Sequence, residues 1–219
     1  MRFGLCLFLF LLSGATLSAQ VYSVKLSHYV FPEFNPGVVL MKNGQKNPAM
    51  LNYNSLTEEM VFENNGGKLA IVDTQLQQID TVYIKGRRFF RHDGKFLELL
   101  HQSGYELYAE HKCDVKYPGR PDAFGRTSQT SSSESYTSTN VMGIIYELSL
   151  PEGYKTKPYT HYWLRRGGKL EQIKNLNQLL KLYDNKNAGK DYAKSNKLDF
   201  ENPQDMLQLV EFLEENQGN

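Results

Sequence analysis

The chain has 219 residues, of which 40% are hydrophobic and 22% are charged, with 25 Lys and Arg against 24 Asp and Glu. This balance lacks the basic excess that nucleic-acid binding needs, so nucleic acid is not an expected partner. The length suits one large β domain or two small domains.

The first residues have the order of a secretory signal peptide. Arg2 precedes an apolar run at residues 5–12, and small residues follow up to Ala19. We therefore expect cleavage before Gln20, export, and no membrane span, because a spanning helix needs about 20 apolar residues. Ala15 stands where the lipid-carrying cysteine of a bacterial lipoprotein would have to be, which argues against lipid anchoring.

The cysteine content predicts a fold without disulfides. Cleavage would leave Cys113 as the only cysteine, so a hydrophobic core has to stabilise the chain. Cys113 is interpreted as a small buried hydrophobe, with a reactive thiol or an intermolecular bridge as alternatives. His111 and Cys113 form a His-x-Cys pair, but no third ligand is near in sequence, so no metal or other cofactor is predicted.

Residues 37–112 are a succession of short segments with strand character, most of which end at Asn, Asp or Gly. This pattern is typical of an antiparallel meander. The segment 73–80 breaks it and favours a single turn or a crossing loop. Hairpin turns are predicted at residues 64–67, 92–94 and 102–104.

One predicted strand, residues 105–110, has a clear two-faced pattern. Alternate residues of a strand point to opposite faces of the sheet. One face is expected to be core and the other to be wet. The core face would carry Tyr105, Leu107 and Ala109, and the wet face Glu106, Tyr108 and Glu110.

A Ser/Thr-rich tract at residues 125–139 interrupts the strands. A catalytic serine needs a base and a rigid setting, whereas this composition cannot build a core. We expect residues 117–140 to form a long surface loop, mobile in its middle, that provides contact surface. An insertion without a role is the alternative. The residues that favour a loop pinned at both ends are Tyr117, Pro118, Pro121, Phe124 and Tyr136.

The rest of the chain predicts further strands and then helices. Strand character resumes at residues 141–154 and 157–173, with a hairpin turn at Gly167-Gly168. One amphipathic helix would begin after an Asn175 cap, and residues 190–197 suit a short additional helix. The clearest helix has Asn202 as cap and Pro203 at its first position, followed by a buried stripe of Met206, Leu209, Val210 and Leu213.

These elements predict an α+β fold. It would consist mainly of an antiparallel β-meander, as a curved sheet, sandwich or half-barrel, with two or three C-terminal helices packed on it. The β-rich region would cover residues 20–174, and the helical segment 175–219 would belong to the same unit.

Four segments carry a family resemblance. They read MKNGQKNPAMLNYNSLTEEMVF, GRPDAFGRTSQTSSS, PYTHYWLRR and LLKLYDNKNAGKDYAKSNKLDFENPQDMLQLVEFL. The chain resembles a group of secreted proteins from Gram-negative bacteria that have a β-rich front, a helical tail and no assigned activity. The resemblance implies export, to the periplasm, the outer membrane or the medium, and the same general architecture. It implies nothing about mechanism.

The sequence contains none of the local motifs that mark common enzymes. A Gly-x-Ser-x-Gly elbow, a His-Glu-x-x-His helix, a Cys-x-x-Cys pair, a phosphate loop and a Ca²⁺ loop are all missing. A non-catalytic binding or interaction protein of the cell envelope is therefore predicted, with an envelope protein, a glycan or a lipid as partner. A lipid or lipoprotein carrier with an apolar cavity between sheet and helices is one alternative, and an enzyme with a dispersed site is another.

Basic residues cluster beside aromatic ones in two segments, residues 87–91 and 163–169. Cations next to aromatic rings suit anionic or sugar ligands. Because neighbouring residues of a strand face opposite ways, only part of each cluster can share a surface, and arginine stems covering apolar edges are the alternative interpretation. The candidate contact residues are Tyr117, Arg120, Phe124, Arg126, Tyr136, Trp163 and Arg165.

Overall fold

The protein is described by a computed structural model, which covers residues 28–116, 146–147, 150 and 153–216. Within these residues the chain forms one open antiparallel sheet of ten strands and four helices, mostly C-terminal. The predicted α+β class is confirmed, and strands dominate the structure.

Most of the described residues before position 174 lie in strands. They are β1 (Asn35–Met41), β2 (Lys46–Asn54), β3 (Glu59–Asn64), β4 (Gly67–Ala70), β5 (Ile79–Ile84), β6 (Arg87–His92), β7 (Lys95–Gln102), β8 (Glu106–Lys116), β9 (Lys155–Arg166) and β10 (Lys169–Ile173). The helices are α1 (Asp73–Leu76), α2 (Leu176–Leu180), α3 (Lys186–Ser195) and α4 (Pro203–Glu215).

The strand order is β10-β9-β8-β7-β6-β5-β1-β2-β3-β4, so the sheet consists of two meanders joined side by side. After β4, the single turn α1 carries the chain back across the sheet, and β5 pairs with β1, with Val82 opposite Val39. The segment 73–80 is thus a crossing connection built on one helical turn, as its sequence predicts. A continuous meander would instead have placed β5 beside β4.

Tight turns join most neighbouring strands. In four two-residue turns both central residues have positive φ, which is the conformation that matches the twist of a hairpin. Three lie at predicted positions, and the fourth, Lys85-Gly86, joins β5 to β6. The four turns are Asn65-Gly66, Lys85-Gly86, Asp93-Gly94 and Gly167-Gly168.

The inner face of the sheet, defined here as the face that carries Val82, Phe89, Ala109 and Tyr162, holds the main core. The sheet curls so that β3 lies near β7, and the first strands enclose an apolar cluster around Tyr53 and Phe89. A second cluster on the same face of β8–β10 is covered by the helices. The inner face is therefore filled by the curl of the sheet at one end and by helices at the other.

Helices α2, α3 and α4 pack on the second cluster. In α2 and α4 the contact is made by the apolar faces that the sequence predicts. Leu179, Leu209, Val210 and Leu213 are fully buried. The predicted caps are also confirmed, because Asn175 accepts from the backbone N–H of Gln178 and Asn202 accepts from that of Gln204. The predicted additional helix is α3, which begins four residues earlier than its sequence pattern suggests, at Lys186.

Two predictions about the strands are wrong. The described residues among 146–154 form turns, a bend and irregular backbone, and strand structure resumes at Lys155. Tyr146 instead packs with Tyr29 and Val61 outside the main core. The second error concerns the face predicted to be wet, where Tyr108 is 2% exposed and Glu110 is fully buried.

In the part of the chain that the structure describes, no helix has both the length and the apolar character needed to cross a membrane. The segments 1–19 and 117–140, for which cleavage and a surface loop are predicted, lie outside the described residues.

Candidate binding surface

The alternation of β6 and β9 sorts the two basic clusters between the two faces of the sheet. Arg91 lies on the inner face with its guanidinium 5.9 Å from the ring centroid of Phe96, and Arg166 lies 5.2 Å from that of Tyr105. Arg88 and Arg165 occupy the opposite, outer face. Only two of the six cationic side chains in the two clusters therefore lie on the outer face.

The outer face, defined as the face of β5–β10 that carries Tyr83, Arg88, Tyr108 and Trp163, brings the two clusters together. Tyr83 is directly opposite Arg88, Arg88 opposite Leu99, Leu99 opposite Tyr108, and Tyr108 opposite Trp163. Adjacent strands are about 4.8 Å apart, so Arg88 and Trp163 are separated by about 14 Å along this row. Residues 75 positions apart in sequence thus line one continuous strip.

Glu110 is a buried residue that holds side chains of this strip in place. Its carboxylate accepts hydrogen bonds from Trp163 Nε1 at 2.8 Å and from Lys95 Nζ at 2.9 Å, and Lys112 Nζ lies 3.4 Å from it. Burial alone would raise the pKa of Glu110, but these donors and charges outweigh burial and lower the pKa below its usual value. Glu110 therefore remains ionised and fixes the orientation of the Trp163 ring.

Tyr108 is covered by a second set of contacts. Arg165 lies 5.1 Å from the Tyr108 ring centroid and its Nη1 is 3.0 Å from Glu106. The Tyr108 hydroxyl donates to the same carboxylate at 2.8 Å. Burial, followed by this hydrogen bond, raises the pKa of Tyr108 to about 12. Arg165 and Glu106 therefore shield Tyr108 from solvent, which explains why the centre of this face is buried although acidic residues alternate along β8.

The outer face has an excess of positive charge. Across β6–β9 it carries seven Lys and Arg side chains against three carboxylates, although the whole chain is nearly neutral. Arg88 forms no ion pair with any of the described residues. The strip therefore presents at least one cation that the described part of the fold does not neutralise. The seven cations are Arg88, Lys95, Lys112, Lys116, Lys155, Lys157 and Arg165.

A cleft of about 330 Å³ adjoins the outer face where β9 and β10 meet the segment that connects α3 to α4. Gln172, one of its lining residues, is directly opposite Trp163. The cleft walls combine hydrogen-bonding, cationic, acidic and aromatic groups, which include Tyr159, His161, Gln172, Lys174, Phe200 and Glu201. A second cavity of about 210 Å³ lies around Leu164, Arg166 and Leu182.

A different polar cluster lies within the inner face. Glu98, only 4% exposed, stands between Phe89 and Ala109 in the cross-strand register. Arg87 forms a bidentate pair with its carboxylate, and His111 Nε2 lies 2.5 Å from Oε2. Burial would raise the pKa of Glu98, but the hydrogen bonds from His111 and Arg87 outweigh it and lower the pKa.

In this Arg87-Glu98-His111 cluster, the Glu98 carboxylate and His111 Nε2 are bound to each other, and Arg87 also binds the carboxylate. The Nε2 of His111 donates its proton to Glu98 and so cannot also accept a hydrogen bond from Arg87. The 3.2 Å distance between His111 Nε2 and Arg87 Nη2 is therefore not a hydrogen bond. Both cavities described above are lined by other residues. The cluster stabilises the junction of β6, β7 and β8.

Ser103, His101 and Glu214 resemble a catalytic set in composition but not in geometry. Ser103 Oγ donates to Glu214 Oε1 at 2.6 Å, and His101 Nε2 is 2.6 Å from Oε2 of the same carboxylate. A serine nucleophile needs its hydrogen bond to the histidine, whereas here both side chains bind the acid. The contact instead holds α4 against the β7–β8 turn.

Cys113 and its neighbours do not form a metal site within the described residues. Burial raises the pKa of the Cys113 thiol to about 11, and His111 is engaged with Glu98. The described ranges contain no group of three or more His, Cys, Asp or Glu side chains placed to hold a metal ion.

Of the contact residues predicted from the sequence, the structure brings Trp163 and Arg165 together on the outer face. Sequence reasoning did not select Arg88 or Tyr83, although Arg88 belongs to the first basic cluster, and it assigned Glu110 to solvent. The cross-strand register supplies this information, and no local motif does. The remaining predicted contact residues lie outside the described residues: Tyr117, Arg120, Phe124, Arg126 and Tyr136.

The fold and the surface together define an α+β protein with a ten-stranded antiparallel sheet whose outer face is cationic and aromatic. Comparisons with protein-family models, with curated proteins and with solved structures gave no match. The resemblance to a group of secreted proteins remains a prediction.

Proposed function

We propose that the protein is a non-catalytic binding protein that recognises an anionic ligand through the outer face. The observation that carries this proposal is the convergence of two basic-aromatic segments, from β6 and β9, on one strip. Tyr, Trp and Arg are the residue types enriched at binding hot spots, because they combine large contact area with hydrogen bonding. The excess of cations on this face selects a ligand of negative charge.

The side chains of Trp163 and Arg165 are held in place by the protein itself, which favours ligand binding. Trp163 is held by Glu110, and Lys95 lies 5.2 Å from the Trp163 ring centroid. Arg165 is held by Glu106. A ligand that docks here orders few side chains, so less of its interaction free energy is lost to conformational entropy.

The packing of the helices favours this function over that of a carrier. A carrier needs an apolar cavity between sheet and helices, whereas the described sheet-helix interface is filled by side chains such as Leu179 and Leu209 that have no exposed surface. The cleft of about 330 Å³ lies at the sheet edge and has mixed polar walls. The carrier and the enzyme with a dispersed site stay as the alternatives.

Binding can be tested by screening the full-length protein against an array of acidic and neutral oligosaccharides, anionic and neutral lipids, and acidic peptides. We expect retention of anionic compounds by the wild type, loss of retention in Arg88→Glu, and unchanged retention in Arg166→Glu. Arg166 is a matched control because it neighbours Arg165 but lies on the inner face. Retention that survives Arg88→Glu, or mass-spectrometric proof that a bound compound is chemically altered, contradicts a non-catalytic outer-face function.

The proposed setting of this function is the envelope of a Gram-negative bacterium, after export. It is supported by the basic-apolar-small order of residues 1–19 and by the resemblance to secreted proteins. Mass spectrometry of the exported protein should find Gln20 at the N-terminus. A chain that retains Met1, or carries a lipid on Cys6, contradicts this processing.

A further inference from the structure

We propose that the anionic ligand is an acidic oligosaccharide, which lies along the strip from Arg88 to Trp163 and places one acidic sugar in the adjoining cleft. This inference rests on the proposed binding role of the outer face and adds the chemical class of its ligand. It is carried by the position of the cleft, whose lining residue Gln172 is directly opposite Trp163.

The cleft has the size and the chemistry that a sugar carboxylate requires. Its volume of about 330 Å³ is at the lower end of the range of about 300–1,000 Å³ that is usual for ligand pockets. Lys174 supplies a cation for the acidic group, while Gln172 and Tyr159 can exchange hydrogen bonds with sugar hydroxyls. His161 Nδ1 faces Glu110 at 3.8 Å, and Glu201 is the acidic group that lines the cleft.

The aromatic strip supplies the second part of the recognition. One face of a pyranose ring is covered with C–H bonds and packs on the flat face of an aromatic ring, while its hydroxyls reach outward to polar side chains. Phe90, Tyr83 and Trp163 are partly exposed on the outer face. The strip from Arg88 to Trp163 is about 14 Å long, by strand spacing, a length that an oligosaccharide of a few units covers. Leu99 and Tyr108 in its middle are buried, so the ligand would contact Arg88 and Trp163 at the ends and Arg165, which covers Tyr108, between them.

An acidic peptide suits the same surface less well. Extended peptides gain most of their affinity by pairing their backbone with a free strand edge. The strip lies across β6–β9, whose strands have neighbours on both sides, so their backbone groups are already used in the sheet. A ligand on the strip has only side chains to contact, and the one edge strand nearby is β10, at the cleft. The hydroxyls of a saccharide can satisfy the side chains of the strip without a backbone partner.

Trp163 is the only tryptophan of the chain, so its fluorescence reports directly on this surface. We would titrate the full-length protein with trigalacturonate, with the neutral trisaccharide maltotriose and with hexaglutamate, and confirm each affinity by calorimetry. Trigalacturonate should change the Trp163 emission and bind more tightly than hexaglutamate, and maltotriose should leave the emission unchanged. Binding of trigalacturonate should weaken when NaCl is raised from about 50 to about 500 mM, because salt screens the exposed cations.

The variants Arg88→Gln and Lys174→Gln should each weaken trigalacturonate binding by about tenfold. The control Arg166→Gln should stay within about twofold of the wild type, and circular dichroism should show that all three variants are folded. Hexaglutamate that binds as tightly as trigalacturonate and depends on Arg88 overturns the saccharide inference and leaves outer-face binding intact. If neither compound binds, or binding depends equally on Arg166, the saccharide inference is overturned, and the array experiment separately decides whether the outer face binds any anion.

Discussion

The indole N–H of Trp163 donates a 2.8 Å hydrogen bond to the fully buried carboxylate of Glu110. This contact connects the most prominent aromatic residue of the outer face with a charge that the fold has removed from water. A buried carboxylate is tolerated only when donors replace its hydration, and here Trp163, Lys95 and Lys112 provide them. The binding surface and the stability of the sheet therefore depend on the same residue.

Glu110→Gln is expected to destabilise the protein by about 2–3 kcal/mol, because it removes the negative charge that compensates Lys95 and Lys112. Urea unfolding should show a lower midpoint, and the Trp163 emission of the folded state should shift as its hydrogen bond changes. The control is Glu171→Gln, in which the lost partner is the exposed Lys169, and it should unfold as the wild type does. Equal midpoints for both variants would show that Glu110 carries no net stabilisation.

Stability should fall steeply when the pH decreases below about 4.3, the usual pKa of a glutamate in an unfolded chain. The folded state lowers the pKa of both Glu98 and Glu110, so it holds them ionised where the unfolded chain binds protons. Their contribution is fully present above the unfolded pKa and is lost as the pH falls through the lowered folded values.

This dependence can be measured as the free energy of unfolding between pH 7 and pH 2. Glu98→Gln should reduce the slope below pH 4, since one of the two shifted groups is gone. A slope that the substitution leaves unchanged would mean that other groups control acid unfolding.

Local sequence patterns predicted much of the fold, for reasons that are visible at particular residues. The Asn202 cap, Pro203 at the first helical position and the Met206-Leu213 stripe act within one helix, so the sequence specifies α4 almost completely. The turns at Asp93-Gly94 and Gly167-Gly168 are equally local, because positive φ is a property of the turn residues themselves.

The pairing of β5 with β1 and the burial of Glu110 could not be predicted in this way. The first depends on where β5 pairs after the chain crosses at α1, and the second on which side chains the strands beside β8 bring to Glu110. Alternation correctly placed Glu110 on the face opposite Ala109, but its burial comes from Lys95 and Trp163 on adjacent strands. The same limit explains why the sequence indicated Trp163 and Arg165 but not Arg88, which only the register of β6–β9 places on the same face.

Gly37→Ala should destabilise the protein by about 2–3 kcal/mol. A Cβ at this position in β1 would lie 2.5 Å from the backbone oxygen of Tyr83 and 2.9 Å from Leu51 Cδ1. The backbone oxygen belongs to the adjacent β5 and cannot move without disturbing the β1–β5 ladder. Gly104→Ala is the control, because nothing lies within 4 Å of its added Cβ, and only Gly37→Ala should lower the thermal midpoint.

Cys113 should be chemically inert in the folded protein. The thiolate is the reactive species, and burial raises the pKa of the thiol to about 11, so little thiolate exists near neutral pH. Alkylation with iodoacetamide at pH 7.5, followed by peptide mass spectrometry of Cys113, should give slow labelling that accelerates in urea. Cys113→Ala should lower stability by only about 1 kcal/mol, and rapid labelling of the folded protein would contradict this prediction.

Removal of residues 170–219 should leave a β-rich region that aggregates or lacks fixed side-chain packing. The deletion takes away β10 and the helices that cover Leu107, Tyr162 and Leu164, and these inner-face residues would then be exposed to water. In the full-length chain, Leu209→Ala should cost about 2–5 kcal/mol, because Leu209 is fully buried between helix and sheet. Methyl NMR spectra test the truncated protein, and sharp, dispersed side-chain signals would show that the sheet folds independently. Thermal unfolding tests the substitution, and a wild-type midpoint for Leu209→Ala would show that α4 contributes little to the common core.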